Sequence, residues 1–417
     1  MDQNVRPIDL RALPPARQWA ALQQAYTQLQ GTGAVVRAYV EDCPARLYIA
    51  LLESGYRVSL AREGGQTVLV LRTDGAARVG TGGAHSIVAH PDGRLYATTE
   101  ADRLVVLDAA TRQVLRFIPV GKEPSHLALS ADGRHLYVAN AASNAVSVVD
   151  TATDTVCRTV PTGQRPLLPC AAPDRDRVYV PSGPDGTVTV VDPAGDAPAT
   201  LPVGQAPHDL AVSPDGRWAY QPNSGSHTVT VIDARTQQVV GEVPVGLGPG
   251  HVAFTPDGRY AYVANTLSDD VSVIDTASHA VVATIPAGTA AHVPLVDHEG
   301  RFGYVADFAS DDLAVWDTRT QRLLTRIPVG IYPHAFALSP DGRWLVVSNT
   351  GEASVVLIDA QQHRPVAQLP VGAAPGHIAF DPDGACAFIA CERSNAIAAV
   401  DVASQRVIAL VPVGAGA

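Results

Sequence analysis

The sequence predicts a mainly β chain: an eight-bladed β-propeller over residues 78–417, preceded by a small α+β domain over residues 1–75. Three observations predict it. A Pro-Asp-Gly-type turn recurs along most of the chain at a spacing of 40–42 residues. Each spacing holds four short β-like runs. The composition, with 35 Gly, 32 Pro and a single Met in 417 residues, is that of strands and turns rather than helices.

The turn is followed through Gly93, Gly133, Arg175 (where the glycine is replaced), Gly216, Gly258, Gly300, Gly342 and Gly384. In the fifth unit the four runs are 251–255, 260–264, 271–275 and 281–286. A parallel β-helix would use shorter coils, and a leucine-rich repeat a shorter period with Leu and Asn at fixed places. The eighth unit is complete, ending Val407 to Pro412, so the ring closes without a strand from the N-terminus. The wording of the units, Tyr137-Val-Ala-Asn140 and Tyr262-Val-Ala-Asn265 with a following Val-Ile-Asp-Thr, resembles the YVTN family of β-propeller repeats over about four-fifths of the chain.

Residues 1–75 do not fit the repeat. Ile8–Arg11 reads as a strand, Pro14-Pro15 opens a helix through Leu29, Val35–Val40 is a strand, Pro44–Ser54 a second helix and Thr67–Arg72 a further strand. Asp9-Leu-Arg-Ala-Leu-Pro-Pro15 and Asp42-Cys-Pro-Ala-Arg-Leu47 resemble the DUF2249 family, relatives of the TusA sulfur carriers. Those carriers use a cysteine near the start of the first helix. This chain has Leu13-Pro14-Pro15 there, so the resemblance does not extend to sulfur relay. Cys43 stands instead at the start of the second expected helix, where the helix dipole lowers a thiol pKa; the alternative is an inert, partly buried cysteine.

Hydrophobic residues make up 46% and the mean hydropathy is +0.08, which excludes general disorder. The net charge of −11 excludes general affinity for nucleic acid or anionic lipid. No apolar run approaches a membrane span. The start Met-Asp-Gln-Asn-Val-Arg has no basic and apolar leader pattern, and the five scattered cysteines suggest no disulfide framework; both lead to an expectation of a cytoplasmic protein.

Seven of the eight units carry a histidine at or just before the first strand: His85, His126, His208, His251, His292, His334 and His377. In a propeller that strand is innermost and its entering loop opens on one channel mouth. Seven imidazoles then converge on one axis, as a site for a transition metal (copper or iron) or the iron of a metallo-tetrapyrrole. Two features support a merely duplicated packing residue instead. The units share an ancestor. The histidines also alternate between seven and eight residues before the turn, which points neighbouring side chains to opposite faces.

A second ring lies seven residues past each turn: Glu100, Asn140, Ser182, Asn223, Asn265, Asp307, Asn349 and Cys391. Asn there is a turn former. Glu100 and Asp307 stand out as acid/base or cofactor-binding candidates and Cys391 as a thiolate ligand beside His377. Arg165, in the unit without histidine, is a candidate for an anionic substrate or a propionate. The Asp ending each third strand, such as Asp275, reads as a structural turn residue. There is no Gly-x-Ser-x-Gly, Walker A, His-Glu-x-x-His or c-type haem motif.

Eight blades with mouth histidines resemble the d1-haem domains of the cytochrome cd1 family. That resemblance implies a d1-type haem and redox chemistry of nitrogen oxides or metal centres. The expected partners are a metal or small-molecule ligand, and a protein partner through the N-terminal domain. The alternatives are a non-catalytic binding scaffold and a lactonase-like hydrolase using a divalent ion or an acid/base pair at the same mouth.

Overall fold

The computed structural model describes residues 5–11, 13, 15–29, 35–39, 58–63, 66–72, 84–99, 101–173, 177–193, 195 and 197–414. The N-terminal unit is β1 (Val5–Asp9), α1 (Pro15–Leu29), β2 (Val35–Tyr39), β3 (Val58–Glu63) and β4 (Gln66–Arg72), in the sheet order β1-β2-β4-β3. β1 and β2 are parallel, Val5 opposite Val35, so α1 is the crossover that parallel neighbours require. The first strand begins and ends earlier than the sequence suggested. Asp9 closes it, because its carboxylate accepts the Arg11 amide and guanidinium and turns the chain out of the sheet. Leu10, Leu22, Val36, Ala38, Leu69 and Leu71 form the core between helix and sheet. The second expected helix, Cys43 and Glu100 lie outside the described residues.

The rest of the described chain is eight four-stranded antiparallel sheets in strict sequence order, so the β-propeller expected from the repeat is the fold. Blade 1 spans 87–119, blade 2 124–161, blade 3 170–202, blade 4 211–244, blade 5 249–286, blade 6 291–328, blade 7 333–370 and blade 8 375–412. Blades 8 and 1 share one apolar cluster, in which Phe388, Ile397 and Ala399 pack with Leu95, Ala97 and Val105. Side-chain packing therefore closes the ring, and no strand is exchanged.

The turn residues act as their types dictate. In blade 5 Asp257 accepts from the Arg259 amide while Gly258 supplies φ +70°. Asp275, ending the third strand, accepts from the amides of Ala277 and Ser278, the structural role expected for it. Buried tyrosines tie successive blades: Tyr96 donates to Asp154, Tyr262 to Gln321, and Tyr220 lies 2.7 Å from Nδ1 of His279. Each buried Val or Leu of the blade cores contributes about 1.5–3 kcal/mol. One blade repacks by exchange of volume. Trp316 is fully buried in the third strand of blade 6 opposite Gly303, where any Cβ would overlap the indole.

Candidate functional site

The histidines are presented by loops that the preceding blade pins. Just ahead of the loop proline, the chain takes a left-handed residue, as at Glu123, Arg165 and Tyr332. Its amide donates to a side chain one blade back: Glu123 to Asp102, Arg165 to Asn144, Tyr332 to Asp311. Gly248 does the same to Nδ1 of His227.

The alternation of histidine register is absorbed by a β-bulge. In blade 7 Pro333 pairs with Asn349 and Ala335 with Ser348, so His334 itself is the extra residue. In blade 5 Pro249 pairs with Asn265 and His251 with Ala264, so the extra residue is Gly250. A bulge re-aims the side chains beside it. The expectation that the two registers face apart therefore fails, and all seven imidazoles meet.

Around the mouth, neighbouring ring centroids lie 4.9 Å (His126–His85), 5.6 Å (His85–His377), 6.2 Å (His377–His334), 5.2 Å (His334–His292), 4.8 Å (His292–His251) and 5.1 Å (His251–His208) apart. His126 and His377, from blades 2 and 8, approach to 5.3 Å behind His85. Ligand nitrogens of His85, His126 and His377 lie within 4.8 Å of one another, the one such trio among the described residues. The gap in the arc falls at blade 3. There Leu167, buried, follows the bridging Pro166 as His208 follows Pro207.

Three rings have their Nδ1 against an acceptor: His85 with Glu392 at 3.5 Å, His251 with Asp209 at 3.2 Å, and His292 with the His334 carbonyl at 3.1 Å. A neutral ring that donates through Nδ1 keeps its lone pair on Nε2. Nδ1 of His208 and of His334 is buried with no hydrogen-bond partner among the described residues. Burial, then the neighbouring imidazoles, holds His208 and His334 well below the ordinary histidine pKa and takes His377 down to about 3. These rings stay neutral, the state that binds metal.

The described members of the second ring do not point into the mouth. They are buried, and Nδ2 of Asn140, Asn223 and Asn265 donates to Ser147, Thr230 and Ser272 of the third strand. Cys391, expected as a ligand beside His377, is fully buried among Val346, Phe380 and Ile389. Its thiol is directed to the Ile389 carbonyl and burial raises its pKa to about 11. Asp307, expected as a cofactor contact, is buried against Asp312; burial and that second carboxyl push its pKa well above the usual range. Arg165 is paired with Glu123 at 3.6 Å, so Leu167 rather than Arg165 takes the place of the missing imidazole. The histidines outside the ring serve packing, as His90 bonds the Gly133 carbonyl and His298 the Ser339 carbonyl.

Sequence reasoning missed Asp209 and Glu392. Their signal was a departure from the repeat. Where Asp209 follows His208, the other units have Ser86, Leu127, Val252, Val293, Ala335 and Ile378 after theirs. Glu392 occupies the place taken by Ser224, Thr266 and Thr350 in other blades.

Comparison with known proteins agrees with this architecture. The sequence model described as "Lactonase, 7-bladed beta-propeller" matches residues 181–364, less than half of the chain, whereas the described residues form eight sheets. No curated protein matches the sequence. Among solved structures, "Dihydro-heme d1 dehydrogenase NirN in complex with DHE" is 18% identical with a TM-score of 0.66, over 78% of this chain and 74% of that one. Hydrazine synthase of Kuenenia stuttgartiensis is 21% identical with a TM-score of 0.56, over 78% of this chain and 98% of that one. A chain of a mitotic checkpoint complex is 20% identical with a TM-score of 0.56, over 64% and 85%. At these identities the likeness is one of fold: a β-propeller, here with a histidine-lined mouth. No helix among the described residues is long and apolar enough to cross a membrane.

Proposed function

We propose that this eight-bladed propeller is a transition-metal protein of redox metabolism, with His85, His126 and His377 as its primary ligands. The observation that carries the reading is the trio of ligand nitrogens within 4.8 Å, with His377 held neutral by its burial. The partnerless Nδ1 atoms of His208 and His334 fit the same use, since a buried polar atom without a partner costs about 1–3 kcal/mol unless something binds it. Glu392 orients His85 and makes it a stronger donor. A bound copper or iron ion supplies electron transfer and Lewis acidity. The chain supplies three ring nitrogens, a rigid frame, and the four remaining imidazoles on the other side of the mouth to position a small substrate or pass protons.

A second reading is a metallo-tetrapyrrole whose iron takes an imidazole from this ring. It is supported by the fold likeness to NirN, whose structure holds a d1-type haem. Contact between the rings favours an ion over a macrocycle among them. The hydrolase and scaffold readings are less favoured, because neither calls for seven converging imidazoles.

Protein produced with copper, iron or zinc supplied is expected to carry stoichiometric metal. Alanine at His85, His126 or His377 should each remove it, and alanine at His90 or His298 should not. A visible spectrum with tetrapyrrole bands would select the second reading. Substoichiometric metal without such bands would overturn both.

A further inference from the structure

Blade 5 carries two adjoining leucines on the rim of the histidine mouth. After the Gly of the entering loop, blades 2, 3, 4 and 6 have Lys122, Gln164, Gln205 and Thr289, blade 7 has Ile331, which is 44% exposed, and blade 5 has Leu247. Two residues past the buried Asn of the second strand, blade 4 has Gly225 and blade 5 has Leu267. The two leucines are held side by side. The Leu267 amide donates to the Leu247 carbonyl at 3.0 Å, and at Gly248 a Cβ would stand 2.7 Å from Leu267 Cγ.

An apolar pair on a rim loop would ordinarily face water, yet Leu267 is only 4% exposed. What covers it is the N-terminal unit: Leu267 belongs to the cluster of Leu10, Leu22, Val36 and Leu71, with Leu247 packed against it. Leu247 lies four residues before His251, and Thr266, beside Leu267, donates to the carbonyl of Ala291, the residue before His292. The N-terminal unit is thus seated on the loop that carries His251 and on a second loop that is hydrogen-bonded to the residue before His292.

We propose that the N-terminal α+β unit is a cover for the histidine mouth, docked through Leu247 and Leu267, and that it limits the passage of ions and small molecules to His251 and His292. Among the described residues the apolar seat is two propeller side chains, a contact small enough to hold at rest and open.

The test uses the full metal-free chain and diethyl pyrocarbonate, which acylates accessible imidazoles, with the modified residues identified by mass spectrometry. Leu267→Asp and Leu247→Asp should raise the modification rate at His251 and His292 several-fold. The rate at His90 and His298, on the opposite face, should stay constant. Limited proteolysis should release the N-terminal unit faster in the same variants. If the aspartate disturbs blade 5, seen as faster modification at His298 too, Leu267→Ala decides the matter by a smaller increase confined to the mouth. Unchanged rates at His251 and His292 in a variant whose N-terminal unit is released more readily would overturn the proposal, as would release that no variant accelerates. Because the reagent needs no metal, failure of the metal assignment would leave this result intact.

Discussion

Oδ2 of Asp209 lies 3.2 Å from Nδ1 of His251, across the boundary between blades 4 and 5, on the side of the mouth where the histidine arc breaks. The side chain of Gln221, fully buried, clamps the backbone carbonyl of Asp209 through Nε2 at 2.7 Å. A carboxylate at Nδ1 fixes the proton there and decides which nitrogen of His251 can accept.

Asp209→Ala should therefore leave the fold intact and change the tautomer of His251. Nitrogen-15 NMR of histidine-labelled protein should show the Nδ1-protonated form in the parent and a mixture of tautomers in the variant. Loss of the charge-assisted bond should cost about 1.5–3 kcal/mol of stability by urea unfolding. An unchanged His251 spectrum would mean that another group orients the ring.

The stability of the metal-free protein should fall as the pH drops below 6.5. Burial keeps His208, His334 and His377 neutral, with folded pKa values below the unfolded one. Their contribution is therefore complete above pH 6.5 and is lost as pH falls toward the folded values, about 3 for His377. Each such group contributes a slope of about 1.4 kcal/mol per pH unit across that window. The turn aspartates, held below the usual carboxylate range chiefly by backbone amide donors, as Asp275 is, give up their share only below about pH 4. Between pH 7 and 4.5 the imidazoles act against the opposite slope of Asp307, and His377→Gln should reduce the loss of stability in acid seen by urea titration.

Asp307 acts in the opposite sense. With its folded pKa raised, its contribution is present in acid and lost as pH rises through that value. Asp307→Asn should stabilise the protein at pH 7–8 by about 1–3 kcal/mol. The local geometry already exists one blade earlier, where Asn265 Nδ2 donates to Asp270 as Asn at 307 would to Asp312. A denaturation midpoint that stays put or falls at pH 8 would show that Asp307 is stabilised by something other than its proton.

The sequence by itself determined the repeat, the four strands per unit and the turn chemistry, because these are short-range matters. Pro-Asp-Gly needs a left-handed residue at Gly258, and Asp275 binds amides two and three residues on. It also determined that one histidine per unit, blade 3 excepted, stands at an innermost strand. Only the tertiary structure decided which way those side chains face. Counting alternate residues turned three of the seven histidines away from the other four, whereas a single extra residue in the bulge at His334 or Gly250 restores the common direction. Ring closure then selected which three come nearest, since His126 and His377 are about 250 residues apart and meet only through the contact of blades 8 and 1. The same distinction accounts for Cys391 and Asp307. Their positions along the chain mark them as exceptions, but the direction of the second strand's last side chain, into the blade and toward its third strand, is set by sheet pairing with residues several places on. Asp209 and Glu392 gained their meaning from neighbours one blade away, a relation between non-local residues that no local pattern carries.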